Sequence, residues 1–140
     1  VVHNPVTGET YHASLGGGAF LRGEPIRVAG PERRRVLASR SEIGRGEFDR
    51  FGEGWTVHPM GSTAYRMVKV ADGTGDATLS RRTKNEWDLC AAEVVVAEAG
   101  GRVTDALGGT VRYNRPEPRV PGVVAARAAL HDAVRAVPAS

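Results

Sequence analysis

The stretch over residues 87–101, WDLCAAEVVVAEAGG, constrains the fold more than any other part of the chain. Between Trp87 and Ala99 its polar side chains are Asp88, Glu93 and Glu98, with Cys90 behaving as a small hydrophobe. A helix apolar nearly all round belongs in a core rather than on a surface. Gly100 and Gly101 end it, because glycine takes the left-handed conformation after a helix at little steric cost. Asp88 falls in the first turn, where unpaired amides and the helix dipole favour negative charge. On position alone Asp88 reads either as the cap of a buried helix or as a metal ligand.

Elsewhere the pattern is of strands and short helices. Residues 1–28 read as an antiparallel meander with turns at Pro5-Val6-Thr7-Gly8 and Gly16-Gly17-Gly18. The triple glycine lacks the following Gly-Lys-Ser/Thr of a phosphate loop, so it reads as a flexible hairpin. After a linker around 29–34, strands are expected over 36–39 and 55–58, with a short helix over 47–51 between them. Ser62 or Thr63 caps a helix running to about Ala71, and a strand over 76–80 leads to the Trp87 helix. Short strands follow over 103–104, 111–113 and 123–126, and a helix over 130–137 closes the chain. Strands alternating with helices imply a layered α/β domain.

A chain of 140 residues with 41% hydrophobic side chains forms one ordinary domain with a core. A single cysteine excludes an internal disulfide and fits a reducing cytoplasm. No apolar run approaches the roughly 18 residues of a membrane span. The net charge of +3 is placed unevenly. Arg33, Arg34 and Arg35 read as a solvated loop, whereas Arg81, Arg82 and Lys84 lie just ahead of Trp87-Asp88. No basic stripe with interleaved aromatics is present, so nucleic acid is not an expected partner.

The WD dipeptide followed by an Ala-rich helix ending EAGG resembles the second signature of the inositol monophosphatase superfamily. Three further blocks carry the resemblance in the same order. VVHNPVTGETYHASLGGGAFLRGEPIRV is similar to the family's mid-chain meander, Gly61-Ser62-Thr63-Ala64 to its small-residue turn, and GRVTDALGGTVRYN to the strand and turn after the helix. The resemblance implies part of an αβαβα sandwich, with 1–28 belonging to the sheet of a first domain and 29–140 forming the C-terminal α/β domain. It implies magnesium-dependent phosphatase chemistry, with Asp88 completing a site of two or three Mg²⁺ ions. The family's Asp-Pro-x-Asp-Gly-Thr turn and glutamate-rich helix do not occur; Asp72-Gly73-Thr74 has no Asp-Pro before it. The chain thus resembles the C-terminal half of a longer enzyme. On that reading its partners are the other half and, as is common in the family, a second copy, and these residues alone bind magnesium weakly without turnover.

RYNRPEPRVPGVVAARAAL and Glu86-Trp87-Asp88 resemble the 3′(2′),5′-bisphosphate nucleotidase branch. That branch converts 3′-phosphoadenosine 5′-phosphate to AMP within sulfur assimilation. Phosphoryl transfer spreads charge over the phosphoryl oxygens, so catalysis is mostly positioning and neutralisation. Gly61, Ser62 and Thr63 open a helix N-terminus suited to an anion, and the resemblance assigns them to substrate contact. Arg66 follows one turn in, close to the position where that branch carries a lysine for the second phosphate. Inositol phosphatases carry a glutamate about seven residues before the WD aspartate, a place held here by Arg81, or by Ser80 with a one-residue gap. A guanidinium suits a second phosphate better than a sugar-like ring. An inositol-1-phosphate or broad sugar phosphatase, and a stand-alone binding module, remain alternatives.

Other side chains have weaker claims. His3, His12, His58 and His131 have no metal-ligand spacing. Cys90 is expected to be buried without a base. Glu93 lies roughly 140° around the helix from Asp88. Trp87 is expected to pack the helix entrance, and Met60, Tyr65 and Met67 to line core or pocket.

Overall fold

The computed structural model describes residues 1–139. Four strands, β1 (Val2–Asn4), β2 (Glu9–Ser14), β3 (Gly18–Leu21) and β4 (Glu24–Ile26), form an antiparallel meander in chain order. There follow β5 (Arg35–Ala38), α1 (Arg40–Gly44), β6 (Thr56–Pro59), α2 (Thr63–Ala71), β7 (Ala77–Ser80) and β8 (Lys84–Asn85). A single 3₁₀ turn, Glu86–Asp88, then leads to α3 (Cys90–Glu98) and β9 (Gly101–Thr104). β10 (Arg119–Val120), β11 (Val123–Arg127), a second 3₁₀ turn (Ala128–Leu130) and α4 (His131–Ala136) complete the chain.

The second sheet has the order β6-β5-β7-β11-β9, parallel across β6, β5 and β7 and antiparallel on both sides of β11. All four residues of β7 are buried, as a central strand covered on both faces requires. Along β11 the side chains alternate. Val123 and Ala125 join one core with α2 and α3, whereas Val124 and Ala126 join another with Phe48, Phe51, Leu130 and Val134. Because α2 and α3 also pack on β1, β2 and β3, they form the layer between the two sheets, with α4 on the far side. The α/β layering expected from the alternation is therefore present as sheet, helices, sheet, helices. No helix among the described residues is long and apolar enough to cross a membrane.

Several local expectations change. The helix expected over 47–51 forms instead at Arg40–Gly44, and residues 45–50 are turns. Gly46 sits at φ +77°, and Phe48 and Phe51 turn inward as a stacked pair with ring centroids 5.4 Å apart. Their spacing reflects shared burial rather than a helix. No strand forms over 111–113; Val111 is buried and Tyr113 donates its hydroxyl to Glu93. The two-residue ribbon β8–β10 was not expected. The α3 helix is not buried all round: Ala92, Val95 and Val96 face the core, while Cys90 and Val94 are exposed. Trp87, at 66% exposure, does not pack the helix entrance. The Gly16–Gly18 hairpin is pinned, since the Glu98 carboxylate accepts the amides of Gly16 and Gly18 at 2.8 and 2.9 Å.

A half-buried polar cluster joins the meander to α2. Glu9 accepts hydrogen bonds from Tyr65 Oη at 2.5 Å, Thr7 Oγ1 at 2.8 Å and Lys69 Nζ at 3.0 Å. Lys69 also reaches Asp72 at 2.7 Å, and Tyr11 donates to Asp72 at 2.7 Å. Burial alone would raise the Glu9 carboxyl, but these donors outweigh it and hold the pKa at about 2, against an ordinary value of 4.5. A carboxyl lowered by folding stabilises the fold above its unfolded pKa, and that contribution is lost as pH falls. Thermal melts should therefore show a Tm that declines between about pH 4.5 and pH 2, with a shallower decline in Glu9→Gln. Parallel curves for the two proteins would remove Glu9 from the acid response.

Candidate active site

Asp88 is a cap with one carboxylate oxygen left open. Its Oδ2 accepts the Asn85 amide at 3.0 Å and Asn85 Nδ2 at 3.3 Å, closing a capping box over the 3₁₀ turn. Its Oδ1 takes no hydrogen bond among the described residues. A hard anionic oxygen held by its partner and left open is the donor type Mg²⁺ prefers. No group of three or more His, Cys, Asp or Glu side chains among the described residues could hold a metal ion. Asp88 therefore fits as one ligand of a larger set.

The residue before Trp87 anchors this turn. The Glu86 amide donates to the Pro118 carbonyl at 3.0 Å, and its carboxylate accepts the Asn114 amide at 2.7 Å and Arg115 Nε at 3.1 Å. These bonds tie the Asp88 turn to the loop over 114–118. Sequence reasoning named Glu86 only within the branch resemblance and gave it no role, because its partners come from a loop 28 residues later.

The turn over 61–63 opens α2. Ser62 takes a φ of +58°, and its hydroxyl accepts the Tyr65 amide at 3.3 Å. Gly61 and Ser62 are exposed at the rim of a hollow of about 700 Å³, lined also by His3, Asn4, Arg40 and Met60. The free amides of a helix N-terminus thus face solvent beside a cationic side chain.

The arginines behave differently from expectation. Arg66 is 2% exposed, with donors directed at Thr78 Oγ1 (3.2 Å), the Met60 carbonyl (3.1 Å) and Thr63 Oγ1 (3.5 Å). Burial pushes its guanidinium below the ordinary value, opposed by the charge of Glu42. Arg66 therefore braces the turn from beneath instead of facing a ligand. Arg81 donates to the Val137 carbonyl and lines a separate hollow of about 470 Å³ with Glu47, Arg82 and Thr83. The structure does not bring it beside Gly61, Ser62 and Thr63. At the neighbouring position, buried Ser80 donates to Glu42 Oε1 at 2.5 Å. Glu42 itself was not anticipated, because it comes from α1, 38 residues earlier.

The chain matches the inositol monophosphatase family over residues 1–138. It belongs to that family. An inositol-1-monophosphatase of Rhizobium meliloti (strain 1021) is 35% identical over 123 residues, which cover 78% of this chain and 45% of that protein. The 3′(2′),5′-bisphosphate nucleotidase CysQ of Aggregatibacter actinomycetemcomitans is 29% identical over 127 residues, covering 84% of this chain and 47% of that one. An IMPase structure from Thermotoga maritima superposes with a TM-score of 0.83 at 30% identity, over 98% of this chain and 54% of that chain. The chain spans about half the length of the curated relatives it matches. Family membership and the layered fold agree with the sequence resemblance; the site roles rest on the geometry above.

The bracing role of Arg66 has a direct consequence. Arg66→Ala should lower unfolding free energy by about 2–4 kcal/mol, since it strips three hydrogen bonds, one of them fully buried, and leaves Glu42 with Lys84 alone as a nearby cation. Arg81→Ala, at a half-buried position, should cost about 1 kcal/mol or less. Urea denaturation of both variants checks the difference; equal, small losses would free Arg66 from a structural role.

Proposed function

We propose that the protein serves magnesium-dependent hydrolysis of phosphomonoesters, with 3′(2′),5′-bisphosphate nucleotides as its substrate class. The observation that carries this reading is Asp88, one oxygen locked by Asn85 and the other left open. Bound magnesium would supply charge neutralisation and an activated water. The chain's own part is positional. The capping box fixes the carboxylate so that its rotamer is settled before any ligand arrives. The turn over 61–63 offers amide and hydroxyl donors to phosphoryl oxygens, and Arg66 holds that turn to β7 through Thr78. The excess of cations over residues 81–84 supports an anion-rich substrate over a neutral ring.

One observation favours the alternative, an inositol or sugar phosphate. Glu42 brings a carboxylate to Ser80, near the position where inositol phosphatases carry their glutamate. Its 3% exposure weighs against direct contact with a hydroxyl-bearing ring.

Phosphate release by the natural full-length protein, with and without chelator, tests the proposal. The expected result is magnesium-dependent turnover of adenosine 3′,5′-bisphosphate exceeding that of inositol 1-phosphate. Asp88→Asn should reduce it by about a hundredfold or more. Turnover that survives chelation, or an Asp88→Asn variant as active as wild type, would overturn the metal-ligand role. Preference for inositol 1-phosphate would leave that role standing and replace the substrate class.

A further inference from the structure

His131 opens α4 with a side chain at 0% exposure, sealed in the seam between that helix and β9. The other three histidines, His3, His12 and His58, are exposed. The hydrogen bonds around the ring decide where its proton sits. Thr104 Oγ1 stands 3.0 Å from Nε2, and that hydroxyl already donates its one proton to the Asp105 carbonyl at 2.7 Å. Thr104 is left to accept from the ring, so Nε2 carries the hydrogen. Nδ1 is then a bare lone pair, and it faces a carboxylate oxygen, Asp132 Oδ1, at 3.3 Å. Two acceptors with no proton between them leave a place for one.

Burial and nearby charge set what a proton there would meet. Arg102 bears on the ring from β9, and Asp132 and Arg135 bear on it from its own helix. The β7 and β11 side chains in the core beneath α4 are apolar, Leu79, Val124 and Ala126 among them, and Arg127 at the end of β11 is paired with Asp76. Asp132 is the one anion of the three groups named, and it is shared. Its Oδ2 pairs with Arg102 at 3.1 Å, Arg135 stands 3.9 Å from its Oδ1, and the side chain is 66% exposed. A solvated carboxylate divided between two guanidiniums offsets only part of the cost of burying an imidazolium. Burial therefore holds His131 below its ordinary value of 6.5, against the opposing pull of Asp132.

The element that must yield to such a charge is small. α4 spans six residues, too few to persist as a helix once undocked. Leu130 and Val134 hold it in the core, and the carbonyl of Val137, just past its end, accepts Arg81. We propose that His131 is a proton-operated latch on α4: neutral, it seals the helix against β9; protonated, it turns to water, and α4 lifts with it and lets go of Arg81. The docked helix binds fewer protons than the lifted one. Docking is therefore complete above pH 6.5 and weakens as the pH falls below that value. The latch lies in the seam of α4 and β9, and its working does not depend on which ester the protein hydrolyses.

Heteronuclear NMR of the imidazole in the natural full-length protein reads the tautomer directly. The expected ring carries its hydrogen on Nε2 at neutral pH and takes its second proton below pH 6.5. A hydrogen on Nδ1, or titration at or above that value, overturns the latch. Amide hydrogen exchange then reads the helix. Corrected for intrinsic rates, opening of residues 132–136 should rise several-fold, up to about tenfold, from about pH 7.5 to about pH 5.5, while Val95 and Val96 in α3 hold steady. The amide signals of residues 81–83 should shift with the same midpoint as the ring. His131→Gln keeps a donor where Nε2 stood and does not titrate, so its α4 should open equally at both pH values. Opening that does not respond to pH in the wild type, or responds equally in His131→Gln, overturns the proposal. Should that variant fail to fold, the tautomer and the titration of the wild-type ring still decide it.

Discussion

The burial of α2 and α3 between two sheets is the constraint on which the rest of the molecule depends. Met67, Val68 and Ala71 from one helix meet Ala92, Val95 and Val96 from the other and Leu89 just before it, and Tyr11 and Ala19 close the layer from the meander. Each large apolar side chain buried there contributes about 1.5–3 kcal/mol against the entropy of ordering the chain. Close approach is part of the design. A Cβ on Gly101 would stand 2.6 Å from Val96 Cγ1, so β9 can follow α3 this tightly only with glycine. The Val28 amide, bonded to the Ala99 carbonyl at 2.8 Å, ties the end of the meander to the same place.

Function inherits its geometry from that layer. The turn over 61–63 is the N-terminus of α2, and the Asp88 turn leads into α3. Two helices packed side by side therefore hold their N-terminal turns in fixed relation. Polar contacts then refine what packing sets. Thr78 and Ser80 point from one face of β7, the first to Arg66 and the second to Glu42, so a single strand registers α2 against α1. Asp76, one residue before β7, accepts the amides of Arg33 and Arg35 at 3.0 Å and Arg127 Nε at 2.5 Å, which locks the strand's other end.

What was legible in the sequence was what local physics decides. Gly100 ends α3 at φ +88°, Ser62 caps α2, and the meander turns at its glycines. Of the two readings of Asp88 on position, the structure shows the cap. What escaped notice depends on contacts between distant segments. Nothing in the pattern of residues 40–44 shows that Glu42 will meet Ser80, nor does an arginine on α2 reveal that Met60 and Thr78 will consume its donors. Cys90 and Val94 were misplaced for a related reason: a helix inside a layered protein can still show one face at the layer's edge.

The central claim is that the turn over 61–63 and the open oxygen of Asp88 make one cation-and-phosphate site. Paramagnetic broadening of backbone amide signals by dilute Mn²⁺ with inorganic phosphate tests it most directly, since weak binding suffices. The account predicts that signals from residues 61–63 and 85–89 broaden together, and that Asp88→Asn abolishes both effects. Broadening centred elsewhere, or unchanged in Asp88→Asn, would contradict it.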